Sequence, residues 1–238
     1  MLDRILKTTL VVYDQPETCP YLPNRMASMP LRFPLQSLRG QLTDDLLAAG
    51  FRRSGKLVYQ TQCEGCRACV PLRIAVEDFS PNRSQKRALK RGNSSLTIHT
   101  GPAIVDDQRV HLFNQHRNLR GLNHQGTEVD AEEYKLFLVD SCVTSFEINY
   151  YDDQKLIGVA ICDRGVNAMS AVYTYYDPDY NHLSPGTYSI LKQIEYCQQN
   201  DLKFLYLGFY VSSSPHMNYK KIFRPHQRRI DGAWENLA

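Results

Sequence analysis

Residues 146–176, FEINYYDDQKLIGVAICDRGVNAMSAVYTYY, hold three runs rich in β-branched and aromatic side chains, at 146–151, 155–162 and 168–176. Runs of this length and composition read as strands. Asp152-Asp153-Gln154 separates the first two by a tight turn, so an antiparallel meander follows. Downstream the period changes: Tyr188, Leu191, Ile194 and Gln198, with Ile190 and Cys197 alongside, recur at helical spacing and predict a helix over 185–199. Residues 203–209 are then almost continuously apolar, the pattern of a strand buried in a sheet.

Strand, strand, strand, helix, strand is an α/β (α+β) arrangement of acyltransferase type. Working back toward the N-terminus, helices are expected over 130–138 and 106–119, with a loop between them at 118–126 that contains two glycines and two asparagines. Residues 96–99, 70–76, 56–61 and 8–13 have strand character. The segment 19–34 contains Pro20, Pro23, Pro30 and Pro34, which disfavour a helix or a central strand and leave it extended. A short helix is expected over 43–49, with Thr43 as N-cap and Gly50 past its end. The change of rhythm divides the chain into an N-terminal domain, 1–105, and an acyltransferase-like domain, 106–238, with the boundary in the range 100–130.

Charge divides the same way. The 238 residues carry 28 Lys and Arg against 25 Asp and Glu, a net of +3, but residues 1–100 hold 15 basic and 8 acidic side chains and residues 101–238 hold 13 and 17. The first part suits an anionic partner. No stretch approaches the roughly 18 uninterrupted apolar residues of a membrane span, and residues 1–9 lack the pattern of a secretory signal, so a cytoplasmic protein is expected.

A third of those basic side chains are concentrated in one helix. Ser80 and Pro81 predict its start and Gly92 its stop. At about 100° per residue, Arg83, Lys86, Arg87, Lys90 and Arg91 fall within an arc of roughly 140°, one continuous cationic face. Five cations without an acid match the phosphate backbone of a nucleic acid. Arg52 and Arg53 extend the same surface in this reading.

Seven cysteines in a chain without a secretion signal argue against a disulfide framework. Cys142, Cys162 and Cys197 lie in apolar sequence and read as buried small side chains. Cys63, Cys66 and Cys69, spaced by three residues around Gly65, can converge on one ion or cluster, and Cys19 is the one further cysteine in the basic part. Four thiolates suit zinc or an iron–sulfur cluster.

The aromatic residues Tyr173, Tyr175, Tyr176, Tyr206, Phe209 and Tyr210 divide between core and a candidate pocket. Coenzyme A would require a glycine-rich turn before the helix at 185–199. Residues 181–187 offer one glycine, Gly186, and Pro185 removes an amide, so the acyl donor is expected not to be coenzyme A.

Together these segments resemble the arginyltransferase family, in particular its bacterial aspartate/glutamate leucyltransferase branch. The likeness spans nearly the whole chain. It rests on Cys19-Pro20-Tyr21-Leu22-Pro23, Gly50-Phe51-Arg52-Arg53-Ser54-Gly55, Cys69-Val70-Pro71-Leu72-Arg73-Ile74, Phe79-Ser80-Pro81-Asn82-Arg83-Ser84-Gln85, Tyr206-Leu207-Gly208 and Met217-Asn218-Tyr219-Lys220. Where the longer eukaryotic arginyltransferases carry a second cysteine shortly after the first, this chain has Leu22.

The resemblance implies an acyltransferase of the acetyltransferase superfamily in which aminoacyl-tRNA replaces coenzyme A, which accounts for the missing glycine turn. Its members conjugate an amino acid, leucine in the bacterial branch, to proteins beginning with Asp or Glu and so mark them for N-degron degradation. An arginyl-transferring enzyme and a metal-bearing nucleic-acid-binding module without catalysis are the alternatives. For the chemistry, Asp177, Tyr206 and Tyr219 are the candidates for proton transfer, and Arg73 and Lys220 for the carboxylate of the acceptor's first residue. The cationic face is the candidate tRNA surface.

Overall fold

The computed structural model describes residues 2–121 and 126–237. Part of the loop expected at 118–126 therefore lies outside the described residues.

The chain begins with α1 (Leu2–Lys7) and β1 (Thr9–Tyr13), passes through a two-residue ladder of β2 (Glu17–Thr18) and β3 (Met26–Ala27), and continues as β4 (Leu31–Pro34). After α2 (Gln41–Ala48) come β5 (Arg52–Ser54) and β6 (Leu57–Tyr59), and these close a four-stranded sheet in the order β1-β4-β6-β5. The proline-rich stretch thus supplies an interior strand, with Pro34 tolerated at its last position opposite Thr9. Thr43 lies inside α2, donating its hydroxyl to Leu38 O at 2.7 Å, and Gly40 takes the N-cap position expected of it.

β7 (Val70–Ala75), α3 (Arg83–Ser95), β8 (Thr97–Gly101), α4 (Asp107–Leu119) and α5 (Ala131–Tyr134), which runs on as a wider turn over Lys135–Val139, lead to the meander. Its strands are β9 (Thr144–Asp152), β10 (Lys155–Arg164) and β11 (Ala168–Tyr176). A 3₁₀ segment, Pro178–Leu183, α6 (Pro185–Gln199), β12 (Phe204–Tyr210), a second 3₁₀ segment, Asn218–Ile222, and the hairpin β13 (His226–Ile230) and β14 (Ala233–Leu237) complete the chain. The eight-stranded sheet runs β14-β13-β7-β12-β11-β10-β9-β8 and crosses the division expected at 105/106, because β7 sits near its middle and β8 at its edge.

Alternation along β10 explains how the sheet is covered. Ala160 and Cys162 join one core with Tyr188, Leu191, Ile194 and Cys197 of α6, while Val159 and Ile161 join another with Leu112 and Phe113 of α4 and Tyr134 of α5. Helices therefore cover both faces. The small sheet and α2 pack on the second face through Leu47, Ala168 and Tyr206. One buried ion pair locks them there: Arg53 Nε donates to Asp163 Oδ2 at 2.7 Å, with side-chain exposures of 3% and 6%. Arg53 is thus an internal residue and not part of the cationic surface expected for it.

Cys162 and Cys197 are fully buried, as expected from their apolar surroundings, and Cys142 is half-buried. Among the described residues no helix is long and apolar enough to cross a membrane. All neighbouring strands of the large sheet are antiparallel except β11 and β12, which the α6 crossover joins in parallel. The mixed α/β order of three strands, a helix and a strand expected from residues 146–209 is the one found.

Candidate functional site

β11 and β12 stay paired over three positions, Ala168↔Phe204, Met169↔Leu205 and Ser170↔Tyr206. Beyond Ser170, β11 follows β10, and beyond Tyr206, β12 follows β7, so the two strands part. A bulge between Tyr206 and Gly208 bends β12 at that point, and Gly208 adopts φ 77°. Two adjoining cavities lie at the divergence and share Leu47, Phe51, Arg52 and Ser170 in their walls. The larger is mainly apolar, with Leu46, Val58, Val143 and Val172 contributing.

Arg52 occupies the parting. A Cβ at Gly208 would stand 1.6 Å from Arg52 Nη1 and 2.4 Å from Cζ, so the guanidinium lies against backbone that only a glycine leaves bare. Its Cζ is 5.9 Å from the centroid of Phe209, whose ring meets Tyr59 edge-on at 6.2 Å. The charge of Arg52 reaches the phenols of Tyr21, Tyr59 and Tyr219, opposing the rise that burial imposes on each. Tyr219 is 47% exposed as a residue, yet crowding at its hydroxyl raises that group to about 12. Its hydroxyl therefore remains a donor at neutral pH.

Lys220 follows on the same 3₁₀ segment but points inward. It is 6% exposed, and its ammonium donates to Phe209 O at 2.5 Å, with Met217 Sδ at 3.3 Å. Burial first, and the nearby Arg52 charge second, lower it to about 7. Among the described residues neither Arg52 nor Lys220 forms an ion pair with a carboxylate.

The cationic helix borders this centre. Asn82, not Ser80, caps α3: its side chain accepts from the amides of Ser84 and Gln85, while Gln85 Oε1 accepts from Asn82 N at 2.8 Å. The helix also runs past Gly92, which is buried because the ring of Tyr188 fills the space where a Cβ would be. Arg83, Lys86, Arg87, Lys90 and Arg91 are all exposed, as the sequence spacing expects. Gln85 Nε2 donates to Ile222 O at 3.2 Å and Arg91 Nη2 to Ser184 Oγ at 3.2 Å. One end of the helix is thus tied to the segment of Tyr219 and Lys220, the other to the start of α6.

Cys19, Cys63, Cys66 and Cys69 share one neighbourhood next to Tyr21 and Tyr59. Burial, and then the other three thiols, raise Cys69 to about 12. Cys63 Sγ lies 3.4 Å from Ser28 N and 3.7 Å from Ser28 O. Among the described residues, however, no three His, Cys, Asp or Glu side chains form a group able to hold a metal ion. The thiols are gathered without being arranged as a ligand set.

Three other sequence candidates sit outside the parting or are engaged. Asp177 is 2% exposed; its carboxylate accepts from Lys155 Nζ at 2.8 Å and from Asp179 N at 3.0 Å, capping the segment that leads to α6. Tyr206 is 5% exposed, with its hydroxyl accepting from Arg73 Nη1 at 2.8 Å. Arg73 also donates to Gln227 Oε1 at 2.6 Å and packs its guanidinium over Phe204 and Trp234 at 3.8 and 4.3 Å. Of the five candidates for chemistry and acceptor binding, Tyr219 and Lys220 share the 3₁₀ segment beside Arg52, Tyr206 lines the smaller cavity with its hydroxyl taken by Arg73, and Asp177 is held by Lys155. The residues not singled out for this centre in the sequence are Arg52, Tyr21 and Tyr59. The signal was adjacency, since Tyr21 follows Cys19 and Tyr59 precedes Cys63 in segments already marked by their cysteines.

With this geometry in place, the chain can be compared with known proteins. Residues 17–87 match the family described as "Arginine-tRNA-protein transferase, N terminus", and residues 108–230 match its counterpart, "Arginine-tRNA-protein transferase, C terminus". A protein of Thiobacillus denitrificans named aspartate/glutamate leucyltransferase is 39% identical over 222 residues, 92% of this chain and 91% of the relative. One of the same name from Acinetobacter baylyi is 38% identical over 223 residues, 93% and 82% of the two chains. Among solved structures, a conserved protein of unknown function from Bacteroides thetaiotaomicron is similar in fold, with a TM-score of 0.50 at 10% identity, covering 83% of this chain and 65% of that one.

Proposed function

The chain belongs to the arginine-tRNA–protein transferase family, and from that premise we propose that it transfers leucine from leucyl-tRNA to the N-terminus of proteins beginning with Asp or Glu. It is an aminoacyltransferase whose relatives over more than nine-tenths of its length carry the leucyltransferase name. The structural observation that carries the reading is the exposed cationic face of α3 tied directly to the segment that presents Tyr219 at the parting of β11 and β12. A polyanion held on that face has its end beside the cavities.

The chemistry asks little of the protein. The acceptor's α-amine, with a pKa near about 8, is partly neutral at cellular pH, and the aminoacyl ester is an activated acyl donor. Attack forms the new C–N bond and a tetrahedral oxyanion; collapse breaks the ester C–O bond, and the proton lost by the amine ends on the ribose oxygen of the departing tRNA. Positioning and stabilisation of the oxyanion are the contributions that matter. In our reading Tyr219, held protonated, donates to that oxyanion. The apolar lining of Leu46, Val58, Val143 and Val172 at the parting suits a leucyl side chain better than an arginyl one. Asp177 and Tyr206 keep the surrounding elements in place, because their polar atoms are already bonded.

Zinc or an iron–sulfur cluster on Cys19, Cys63, Cys66 and Cys69 would require the sulfurs to draw together from the positions seen. The iron and zinc content of anaerobically purified protein tests it, and no step of transfer runs through it. A donor charged with an amino acid points to the cytoplasm as the place of action.

The function is tested by incubating the protein with leucyl-tRNA or arginyl-tRNA and peptides beginning with Asp, Glu or Lys. Leucine should appear on the Asp and Glu peptides. Binding of tRNA without transfer to any peptide would identify a nucleic-acid-binding module instead.

A further inference from the structure

The two fully buried arginines of this protein are both paired with carboxylates. Arg53 is held by Asp163, and Arg109 by Glu147 and Asp106. Arg52 is half-buried, and its Nη1 is closed off from solvent without a hydrogen-bond partner among the described residues. Arg117 and Arg229 each carry one such nitrogen too. What distinguishes Arg52 is its setting at the parting of β11 and β12, in the walls of both cavities.

The electrostatics of that setting are one-sided. Around Arg52 stand the phenols of Tyr21, Tyr59 and Tyr219 and the amine of Lys220. None of these groups carries a negative charge in the working pH range, and the carboxylate in the wall of the larger cavity, Asp163, is taken by Arg53. A guanidinium withdrawn from water without an anion costs free energy, and such an arrangement persists where a ligand supplies the missing charge. The centre lacks one negative charge, and the substrate of the proposed reaction brings one within a few bonds of the attacking amine.

We propose that Arg52 is the residue that reads the acidic first side chain of the acceptor protein, binding its carboxylate at the parted ends of β11 and β12. This inference rests on the leucyltransferase reading and adds to it the determinant of acceptor choice. A guanidinium presents parallel donors that match a planar carboxylate, and the pair is selective because the fork is rigid. Gly208 leaves the room that Nη1 and Cζ of the fork take against the β12 backbone. The rings of Phe209 and Tyr59 limit the space around it, which strengthens the ionic contact by excluding water. The phosphates of tRNA have a surface of their own in the five exposed cations of α3, so the partly enclosed Arg52 is left for a small anion. Lys220 cannot take this role as a free cation, because its ammonium is turned onto Phe209 O.

The test uses the full chain with saturating leucyl-tRNA and two peptides that differ only in beginning with Asp or with its neutral isostere Asn. The wild type should strongly prefer Asp. In Arg52→Gln, KM for the Asp peptide should rise by about 30-fold or more, the expected loss for removing one partner of a desolvated charge pair. The preference for Asp over Asn should fall to within about threefold, while KM for leucyl-tRNA stays within about twofold. Arg52→Lys, which keeps the charge and loses the fork, should lie between the two. If Arg52→Gln does not fold, Arg52→Lys decides the matter. An unchanged preference for Asp in the folded variant overturns the proposal, as does a loss confined to KM for leucyl-tRNA, which would assign Arg52 to the nucleic acid. A wild type that transfers no leucine to either peptide would overturn the functional reading itself.

Discussion

The Arg53–Asp163 pair lends itself to a quantitative test of how the small sheet is fastened to the large one. Both side chains are almost wholly out of water, at 3% and 6% exposure, and the contact is 2.7 Å. Asp163 Oδ1 also accepts from Ser145 Oγ at 2.5 Å, while Arg53 Nη2 reaches Leu138 O at 3.3 Å. Asp163→Asn keeps the shape and removes the charge, leaving a buried guanidinium whose Nη1 already lacks a partner among the described residues. Removing one member of such a pair costs about 3 to 5 kcal/mol. For a chain of this size each kcal/mol shifts Tm by about 2 to 4 °C, so a fall of about 6 to 20 °C is expected in a calorimetric or circular-dichroism melt. Replacing both partners, Arg53→Met with Asp163→Leu, removes the uncompensated charge and should recover most of that loss. A shift below about 2 °C for Asp163→Asn, or a double variant as unstable as the single one, would refute the assignment of this stability to charge pairing.

Three further outcomes follow from particular contacts. Lys220 titrates near 7 in the folded protein against an ordinary 10.5, so between those values the unfolded chain holds a proton that the folded one has released. Its burial penalty is present in full below pH 7 and fades as pH rises, with unfolding free energy climbing by at most about 1.4 kcal/mol per pH unit. In urea titrations the advantage of Lys220→Met over wild type should shrink from pH 6 to pH 9, and a pH-independent gap would contradict this. On the basic face, replacing Lys86, Arg87 and Lys90 by Gln should flatten the dependence of log affinity for tRNA on log salt by about 2 to 3 units; an unchanged slope would move the tRNA elsewhere. Gly92→Ala places a Cβ 2.3 Å from the ring of Tyr188. Overpacking of this kind costs about 1 to 3 kcal/mol, and an unshifted melting curve would show that Tyr188 gives way freely.

What could be read from the sequence, and what could not, follows the range of the forces involved. Residues 146–209 declare themselves because a sheet covered on both faces calls for near-continuous apolar and β-branched runs in its strands, while the helix between them keeps a period near 3.6. The basic face of α3 was equally plain, although its start was set by the Asn82 and Gln85 capping box, not by Ser80. The hairpin of β13 and β14 went unread. Its strands are partly exposed and carry charge, so they lack alternation, and the one local sign was Asp231-Gly232, which turns with φ values of 47° and 88°. The candidate centre was legible only in pieces. Arg52 and Arg53 are neighbours of the same type, and a strand sends them to opposite sides: one meets Asp163, 110 positions away, and the other meets Gly208. Nothing local distinguishes the two.

That divergence also revises what the charge asymmetry means. Residues 1–100 carry an excess of basic side chains, and read as a total this excess belongs to one anionic partner. The structure assigns it to separate tasks. Arg53 spends its charge inside the protein on Asp163, and Arg73 is occupied by Gln227, Tyr206 and the rings around it. The exposed cations of α3 remain for the nucleic acid. Arg52 stays unpaired at the parting of the strands, where the proposed reaction brings a carboxylate. Gln85 and Arg91 bond α3 to the elements on either side of that opening, so the proposed tRNA surface and the proposed place of transfer are directly connected. A transferase that relies on positioning more than on nucleophilic machinery needs such a connection, because a misplacement of about 1 Å in the donor costs on the order of 10²-fold in rate. Cutting it with Gln85→Ala should therefore lower kcat for transfer while leaving tRNA affinity, set by the exposed cations, nearly unchanged; a loss of affinity with kcat intact would show that the helix and the centre act independently.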